Sequence, residues 1–569
     1  MKINYQIENF KAFSDSGKVD FKPITVLCGV NSAGKSSIIK SILLAKQSAA
    51  VRRSALSSSI PPRPLILNGE FTQLGSWSDT ITARDRSRTM KLSWGVEAEG
   101  REFQRSLMRA NIRSNNQKSK RDQKKRKVDL SVSLSSDPDV AEELSARVDA
   151  WKLTIDGATI HLQRNDSPAA LNEETYRVEI DNLHALLARE GAQIGRYALY
   201  LGDTVKAVAA HKGKVILGNV AVTTAGPFVS GMRAQMDETW SDFFDSVYSM
   251  AGNYRGIKRG PLPKWMGHLQ NATRNYRKSA ENKSIDISRS PAIRSLIFLA
   301  YELVEEVVRA HAEAKAVIAP MWRDIRYLGP LRDQPRRYYQ FDDTGGTDVG
   351  VSGEFTVQVL ALEKSRELTA RRLSKVDSEG VTYSGEIRSS LLDHTNHWLD
   401  VMGLPSVSPS SLEQSLYKLE VGDLGVGLLD VGFGVSQVLP IIVEALRAEA
   451  GDQVVLEQPE IHLHPRVQAQ LADFLVARSK DGVRFLIESH SEYLIKRLCR
   501  RLAESRDGDM DGLINIVFVE GEPGEATCKQ VKVNSFGEIE DWPAGFFDLD
   551  EDLYWAKASL KKRRLRAKI

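Results

Sequence analysis

Apolar and polar positions alternate with a period of two through INYQIENF and KVDFKPI at the start of the chain, as strands with one buried face require. A fully apolar strand, ITVLC, follows, then a glycine-rich loop and SIIKSILLAKQ, whose apolar residues recur at helical spacing. The predicted order is strand, loop, helix. From Leu65 to Arg164 the alternation returns in LILNGEFTQLG, MKLSWGVE, VDLSVSL and WKLTIDGATIHL, which predicts an inserted β lobe. Residues 170 to 325 carry longer helical patterns, such as AIRSLIFLAYELVEEVVRAHAEAKAVIAPMW, without sustained heptads. Beyond Tyr327 the chain returns to loop and strand. Two fully apolar strands, QVVLE and RFLIE, suit a parallel sheet buried on both faces.

Composition narrows the class without naming a chemistry. With 42% hydrophobic and 27% charged residues the chain falls among folded proteins, away from the disordered corner. Glutamates interrupt its longest apolar runs and no signal-peptide pattern opens it, so no membrane span is expected and the cytoplasm is the expected location. Cys28, Cys499 and Cys528 have neither disulfide-framework nor zinc spacing. A net charge of +4 is too small to argue for nucleic acid by itself. Two local runs change that picture: seven of ten residues from Lys118 to Lys127 are basic, as are six of eight from Lys561 to Lys568. They read either as phosphate-gripping segments acting through charge alone or as a solvated loop and tail.

The loop after ITVLC carries the first specific chemistry. Gly29-Val30-Asn31-Ser32-Ala33-Gly34-Lys35-Ser36 fits G-x-x-x-x-G-K-[ST] between a buried strand and a helix, the setting that motif needs. The glycines let backbone N–H groups turn toward phosphate oxygens, with Asn31 and Ser37 on the loop and the opening helix. Lys35 reaches the terminal phosphates and the Ser36 hydroxyl ligates Mg²⁺. A GTPase-like N-K-x-D is not completed at Asn282-Lys283-Ser284-Ile285, so ATP is the expected nucleotide. Near the other end of the chain, Gln453-Val454-Val455-Leu456-Glu457 supplies a buried strand ending in an acid, the form of a Walker B element.

Such wide separation of the two halves resembles the split ABC-type heads of RecF, SMC and OLD-like ATPases. NFKAF, GVNSAGKSS, YLGPLRDQP, DVGFGVSQVLP, LEQPEIHLHP, FLIESHSEYLI and DWPAGFFD together resemble a branch of bacterial AAA/OLD-like ATPases. The implied fold class is α/β, a split ABC-type P-loop ATPase head with an inserted β lobe and a helical region. The implied segments are 1–64 and 327–548 for the two halves of the head, 65–169 for the lobe, 170–326 for the helical insertion and 549–569 for a basic tail.

The resemblance also assigns roles. It places Asp430 to Gln437 at the ABC signature, which touches the γ-phosphate held by an opposing protomer through Gly434 and Ser436; this implies a homodimer or higher homo-oligomer. Where ABC ATPases follow the Walker B acid with a glutamate, Gln458 follows Glu457. The residue that orients water is therefore either Gln458 or Glu460, and slow hydrolysis is expected. His490, after RFLIE, resembles the switch histidine, whereas His462 and His464 read as loop residues. Gln47 and Gln73 compete for the Q-loop place at Mg²⁺. Lys11 is either a phosphate or ribose contact or a surface lysine. Arg332 is either a trans arginine finger or an ion-paired loop residue.

Ile516 to Glu520 resembles the start of a TOPRIM nuclease, and Asp548 and Asp550 form a D-x-D, but the latter follow Trp542-Pro543 rather than a strand. The expectation is that any nuclease is a separate effector protein. Antiphage defence or DNA repair is the setting the resemblance implies. The alternatives are an OLD-like nuclease with its acidic site in this chain, and a weakly hydrolysing ATP-dependent scaffold for a partner.

Overall fold

The computed structural model describes residues 1–50, 65–99, 125–136, 146–164, 320–323, 325–340, 348–377, 380–413, 416–505, 512–534 and 537–539, the backbone of 175–181 and 215–221, and isolated residues between 102 and 318 and at 510. The chain forms two compact units: residues 1–15 with 40–323, and residues 16–39 with 324–569.

The first unit is built on an antiparallel sheet. Its strands run in the order 215–221, 175–181, 158–164, 146–155, 126–136, 90–98, 2–10 and 13–15. Alternation fixes which face is buried: in Lys2–Phe10 the residues Ile3, Tyr5 and Ile7 turn inward. The buried Tyr5 ring stands 5.6 Å from Trp94, and its hydroxyl donates to Ser41 Oγ at 2.8 Å. The stretch 170–326, expected to be helical, contributes two of these strands, TYRVEID and VILGNVA, both rich in β-branched residues and the first carrying a tyrosine besides. The apolar helical pattern after residue 291 lies mostly outside the described residues.

The second unit holds a six-stranded sheet. In chain order its strands are β1 (Ile24–Gly29), β2 (Ile325–Leu328), β3 (Gln453–Glu457), β4 (Arg484–Glu488), β5 (Ile514–Glu520) and β6 (Thr527–Val531). Across the sheet the order is β2-β3-β4-β1-β5-β6, parallel except for β6. β1 and β3 are buried along their whole length, as the continuous apolar runs require. The helices are α1 (Lys35–Ala50), α2 (Thr356–Glu363), α3 (Leu391–Val401), α4 (Phe433–Arg447), α5 (Pro465–Lys480) and α6 (Glu492–Ala503). One continuous core takes in residues from β1, β3, β4, β5 and α2 to α6, with Trp398 of α3 edge-on to Phe474 of α5 at 5.1 Å. A parallel sheet with a glycine loop leading from a central strand into a helix is the α/β P-loop fold. Segments from the two ends of the chain complete it.

Candidate functional site

In open parallel sheets ligands collect at the carboxyl ends of the strands, and that is where the motif residues of this unit meet. β1 ends in Gly29, whose φ is 134°; a Cβ there would lie 2.1 Å from the Val519 carbonyl oxygen of the neighbouring β5. Only glycine fits. The loop turns through Ser32 (φ 64°) and Gly34 (φ 107°) into α1. The Lys35 ammonium is buried and donates to the carbonyls of Val30 at 2.7 Å and Gly29 at 3.2 Å. Burial lowers its pKa, and the nearby Glu488 opposes that shift. Asn31 is exposed on the loop, while Ser37 is buried and its N–H donates to the Gly34 carbonyl at 2.9 Å.

Strand order decides which acids stand beside this loop. β4 lies between β3 and β1, with Glu457 paired to Glu488 and Glu488 paired to Leu27. Two buried carboxylates therefore end neighbouring strands at the same level. The Ser36 hydroxyl donates to Glu488 Oε1 at 3.1 Å, and the Tyr327 hydroxyl, from β2, donates to Glu457 Oε1 at 2.8 Å. Like charges side by side on paired strands repel, and a hard divalent cation among them relieves that repulsion. Among the described residues no three His, Cys, Asp or Glu side chains form a metal cage. Mg²⁺ needs none, since it is commonly held by one or two carboxylates, water and substrate phosphates. Ser36, Glu457 and Glu488 fit that donor set.

The turn after β3 is tightly wound. Gln458 has φ 45°, and its N–H donates to the Glu488 carbonyl at 2.8 Å. Glu460 Oε1 accepts the His490 N–H at 2.6 Å, tying the turn to the residues after β4. Burial raises the Glu460 pKa, and hydrogen bonds from His490 and Ser489 partly offset this. His490 is half-buried, and burial together with the charge of Lys35 lowers its pKa, which favours neutral imidazole. Arg332, on the loop after β2, donates from Nη1 to the Gly329 carbonyl. Burial lowers its pKa to about 10, while the charges of Tyr327, Glu457 and Glu460 pull the other way. It is thus a cis neighbour of the acid cluster. His464 caps α5, its Nδ1 accepting from the Arg466 N–H at 3.2 Å, and His462 (φ 60°) sets its ring 6.2 Å from Phe433; both lie on the turn.

At the head of α4, Gly432 is the N-cap and Gly434 sits in the first turn, with Ser436 Oγ donating to the Phe433 carbonyl at 2.8 Å. Neither glycine has a positive φ. A Cβ on Gly432 would meet nothing within 4 Å, and one on Gly434 only Leu404 at 3.6 Å. The fold itself makes no demand for glycine at either position.

In the first unit, the Gln47 amide is spent on backbone: Nε2 donates to the carbonyls of Ile66 and Thr72, and Oε1 accepts the Thr72 N–H. Gln73 is exposed and bridges to Asn68. Lys11 stands in a turn at φ 47°, and its Nζ donates to the Asp79 carbonyl at 3.2 Å. Of the first basic run, Lys125, Arg126 and Lys127 are ion-paired to Glu97, to Asp156 and Glu313, and to Asp129. Residues 118–124 and 561–568, the segment 282–286, and Asp548 and Asp550 lie outside the described residues. Among the described residues no helix is long and apolar enough to cross a membrane.

Sequence reading passed over two residues at the site, Glu488 and Tyr327. The same signal that singled out Glu457, an apolar strand ending in an acid, stands in RFLIE and would have found Glu488. Tyr327 opens the motif YLGPLRDQP, but nothing local in the sequence gives its hydroxyl a role.

The family model described as an AAA ATPase domain matches residues 1–172 and 363–495, more than half of the chain. A second, described as a protein of unknown function (DUF3696), matches 513–553. No curated protein matches. Among solved structures, the chain is similar to the SMC head domain from Thermotoga maritima, with 8% identity, TM-score 0.32 and coverage of 94% of this chain and 100% of that one. It is also similar to the Smc head domain with an extended coiled coil, bound to the C-terminal domain of ScpA, from Pyrococcus furiosus, with 11% identity, TM-score 0.32 and coverage of 99% and 100%.

Proposed function

The chain belongs to the AAA ATPase domain family, and on that premise we propose that it binds and slowly hydrolyses Mg·ATP, with two copies closing their P-loop units over the nucleotide. The observation that carries this reading is the convergence of Lys35, Ser36, Glu457, Glu488 and His490, from two distant parts of the chain, at the carboxyl ends of neighbouring parallel strands. Gly29 to Ser37 supply N–H groups and an ammonium to the phosphates. Ser36 and the two acids would hold a divalent cation, which would supply positive charge to offset that of the phosphates.

Glu460 is the better candidate for general base. It is a carboxylate whose pKa is raised by burial, held beside His490, whereas Gln458 offers no basic atom. Gln458 in the place next to the Walker B acid supports slow turnover, and with it a second reading in which ATP chiefly fixes an assembly that holds a partner. Gln47 and Gln73 both stay open as candidates for the Q-loop role, the amide of Gln47 being engaged with the backbone of Ile66 and Thr72. The open surroundings of Gly432 and Gly434 support close approach by a second protomer there. Coupling to a separate effector such as a nuclease, or to nucleic acid through the basic runs, in antiphage defence or DNA repair, is the biological role proposed.

Single-turnover ATP hydrolysis measured alongside solution mass, with and without ATP, tests this reading. The parent should enlarge on ATP and release phosphate; Lys35→Ala and Glu457→Gln should lose release. A parent inert in both measurements would overturn it.

A further inference from the structure

Strand β2 lies at the edge of the sheet next to β3, and its register sets Tyr327 beside Val455. Side chains two apart on a strand share a face, so Tyr327 stands on the face of Val455 and Glu457, one step short of the acid. Its hydroxyl bridges that step to Glu457 Oε1 at 2.8 Å. Arg326, one residue earlier, turns to the other face and pairs with Glu444 of α4. The loop that follows is shaped around the hydroxyl: a Cβ on Gly329 would lie 3.2 Å from the Tyr327 oxygen, tighter than ordinary contact. Arg332 closes the loop on the Gly329 carbonyl with its charge facing Tyr327 and Glu457.

We propose that Tyr327 is a positioning residue for Glu457, fixing the orientation of that carboxylate for the divalent cation, with Gly329 making room for the hydroxyl. The inference rests on the reading of Glu457 as a metal-site acid. A carboxylate that serves a metal is itself oriented by hydrogen bonds, and losing such a partner commonly costs about 10- to 100-fold in metal affinity. A tyrosine that merely filled the sheet edge would leave metal affinity unmoved when changed to phenylalanine, which keeps its volume and burial.

The test is Mn²⁺ binding to the full chain with a non-hydrolysable ATP analogue, read by electron paramagnetic resonance, beside nucleotide binding in EDTA and thermal melting. Tyr327→Phe should weaken Mn²⁺ about tenfold, leave metal-free nucleotide binding unchanged, and add no further loss in a Glu457→Gln background. Gly329→Ala should shift Mn²⁺ affinity in the same direction. Mn²⁺ affinity within twofold of the parent in Tyr327→Phe, or an equal loss in the Glu457→Gln background, overturns the inference while the site reading stands. Should Glu457→Gln itself leave Mn²⁺ affinity unchanged, the site reading fails and the inference falls with it.

Discussion

Glu488 shows how much a single side chain at this site depends on its neighbours. It is almost wholly buried, takes the Ser36 hydroxyl, and is paired on the sheet with a second buried acid, Glu457. Glu488→Gln keeps the shape and removes one of two adjacent charges, so relief of repulsion offsets the changed hydrogen bond. The expected outcome is a melting temperature equal to or above the parent's with ATP turnover down at least about tenfold, checked by calorimetry and phosphate release. His394 presents the opposite case, a titratable group with no part in the site. It is fully buried, and Arg372 Nε donates to its Nδ1 at 3.1 Å. Burial first, then the Arg372 charge, lowers its pKa to about 4. Because the unfolded histidine titrates near 6.5, the unfolded chain binds the extra proton between that value and 4. Folding stability is therefore full above about 6.5 and is lost as pH falls toward 4, by up to about 3 kcal/mol. Denaturant unfolding across that range should show this slope in the parent and a flatter profile in His394→Phe.

At the scale of the element, what could be read from the sequence followed from local pattern. The P-loop strand and helix, the buried β3 and β4, and the period-two strands of the first unit each declare themselves within about ten residues. Roles that depend on which strand lies beside which were out of reach. Glu488 acts here because β4 separates β3 from β1, and Tyr327 because β2 pairs with β3; neither pairing leaves a local trace. The strands TYRVEID and VILGNVA were masked by the helical periodicity that dominates the longer stretch around them. Helix α4 shows the same dependence. Its glycine-led start is visible as a motif, but its seat is a buried charge network. Glu444 joins Arg326 of β2 at 2.6 Å and Arg447 at 3.2 Å, and Arg447 reaches Glu363 of α2 at 2.8 Å. Without Glu444 neither cation is left alone, since Arg326 keeps Asp452 at 3.3 Å and Arg447 keeps Glu363, so the cost falls short of the about 3–5 kcal/mol of an unmatched buried charge. Glu444→Gln should lower unfolding stability by about 1–3 kcal/mol as its hydrogen bonds are lost, measured in urea, and Glu444→Leu by no less.

For the whole molecule the question is whether the P-loop unit works alone or against a copy of itself. The head of α4 bears on it. Gly432 and Gly434 have ordinary backbone angles and open space where a Cβ would stand, so the folded chain does not require glycine at either place. Phe433 between them and Leu429 just before are exposed apolar side chains, a combination that suits a surface covered during function. A glycine without an internal reason points to an external one: another backbone, or a phosphate, that must come closer than a side chain allows. Gly434→Glu separates the possibilities. With only Leu404 within reach of a Cβ, the substitution should change the melting temperature little, and Lys35 to Ser37 are untouched, so each copy should still bind ATP. Two protomers closing on ATP would then meet a carboxylate where the γ-phosphate of the other copy belongs, and like charge there is costly. The expected outcome is parental ATP affinity in a chain whose mass no longer rises with ATP and whose hydrolysis falls by at least about a hundredfold. If mass and turnover both stay at the parent's values, the head of α4 is no part of an ATP interface, and whatever hydrolysis occurs must be completed by residues of one chain, with Lys35 and Arg332 the cations in cis beside the acid cluster.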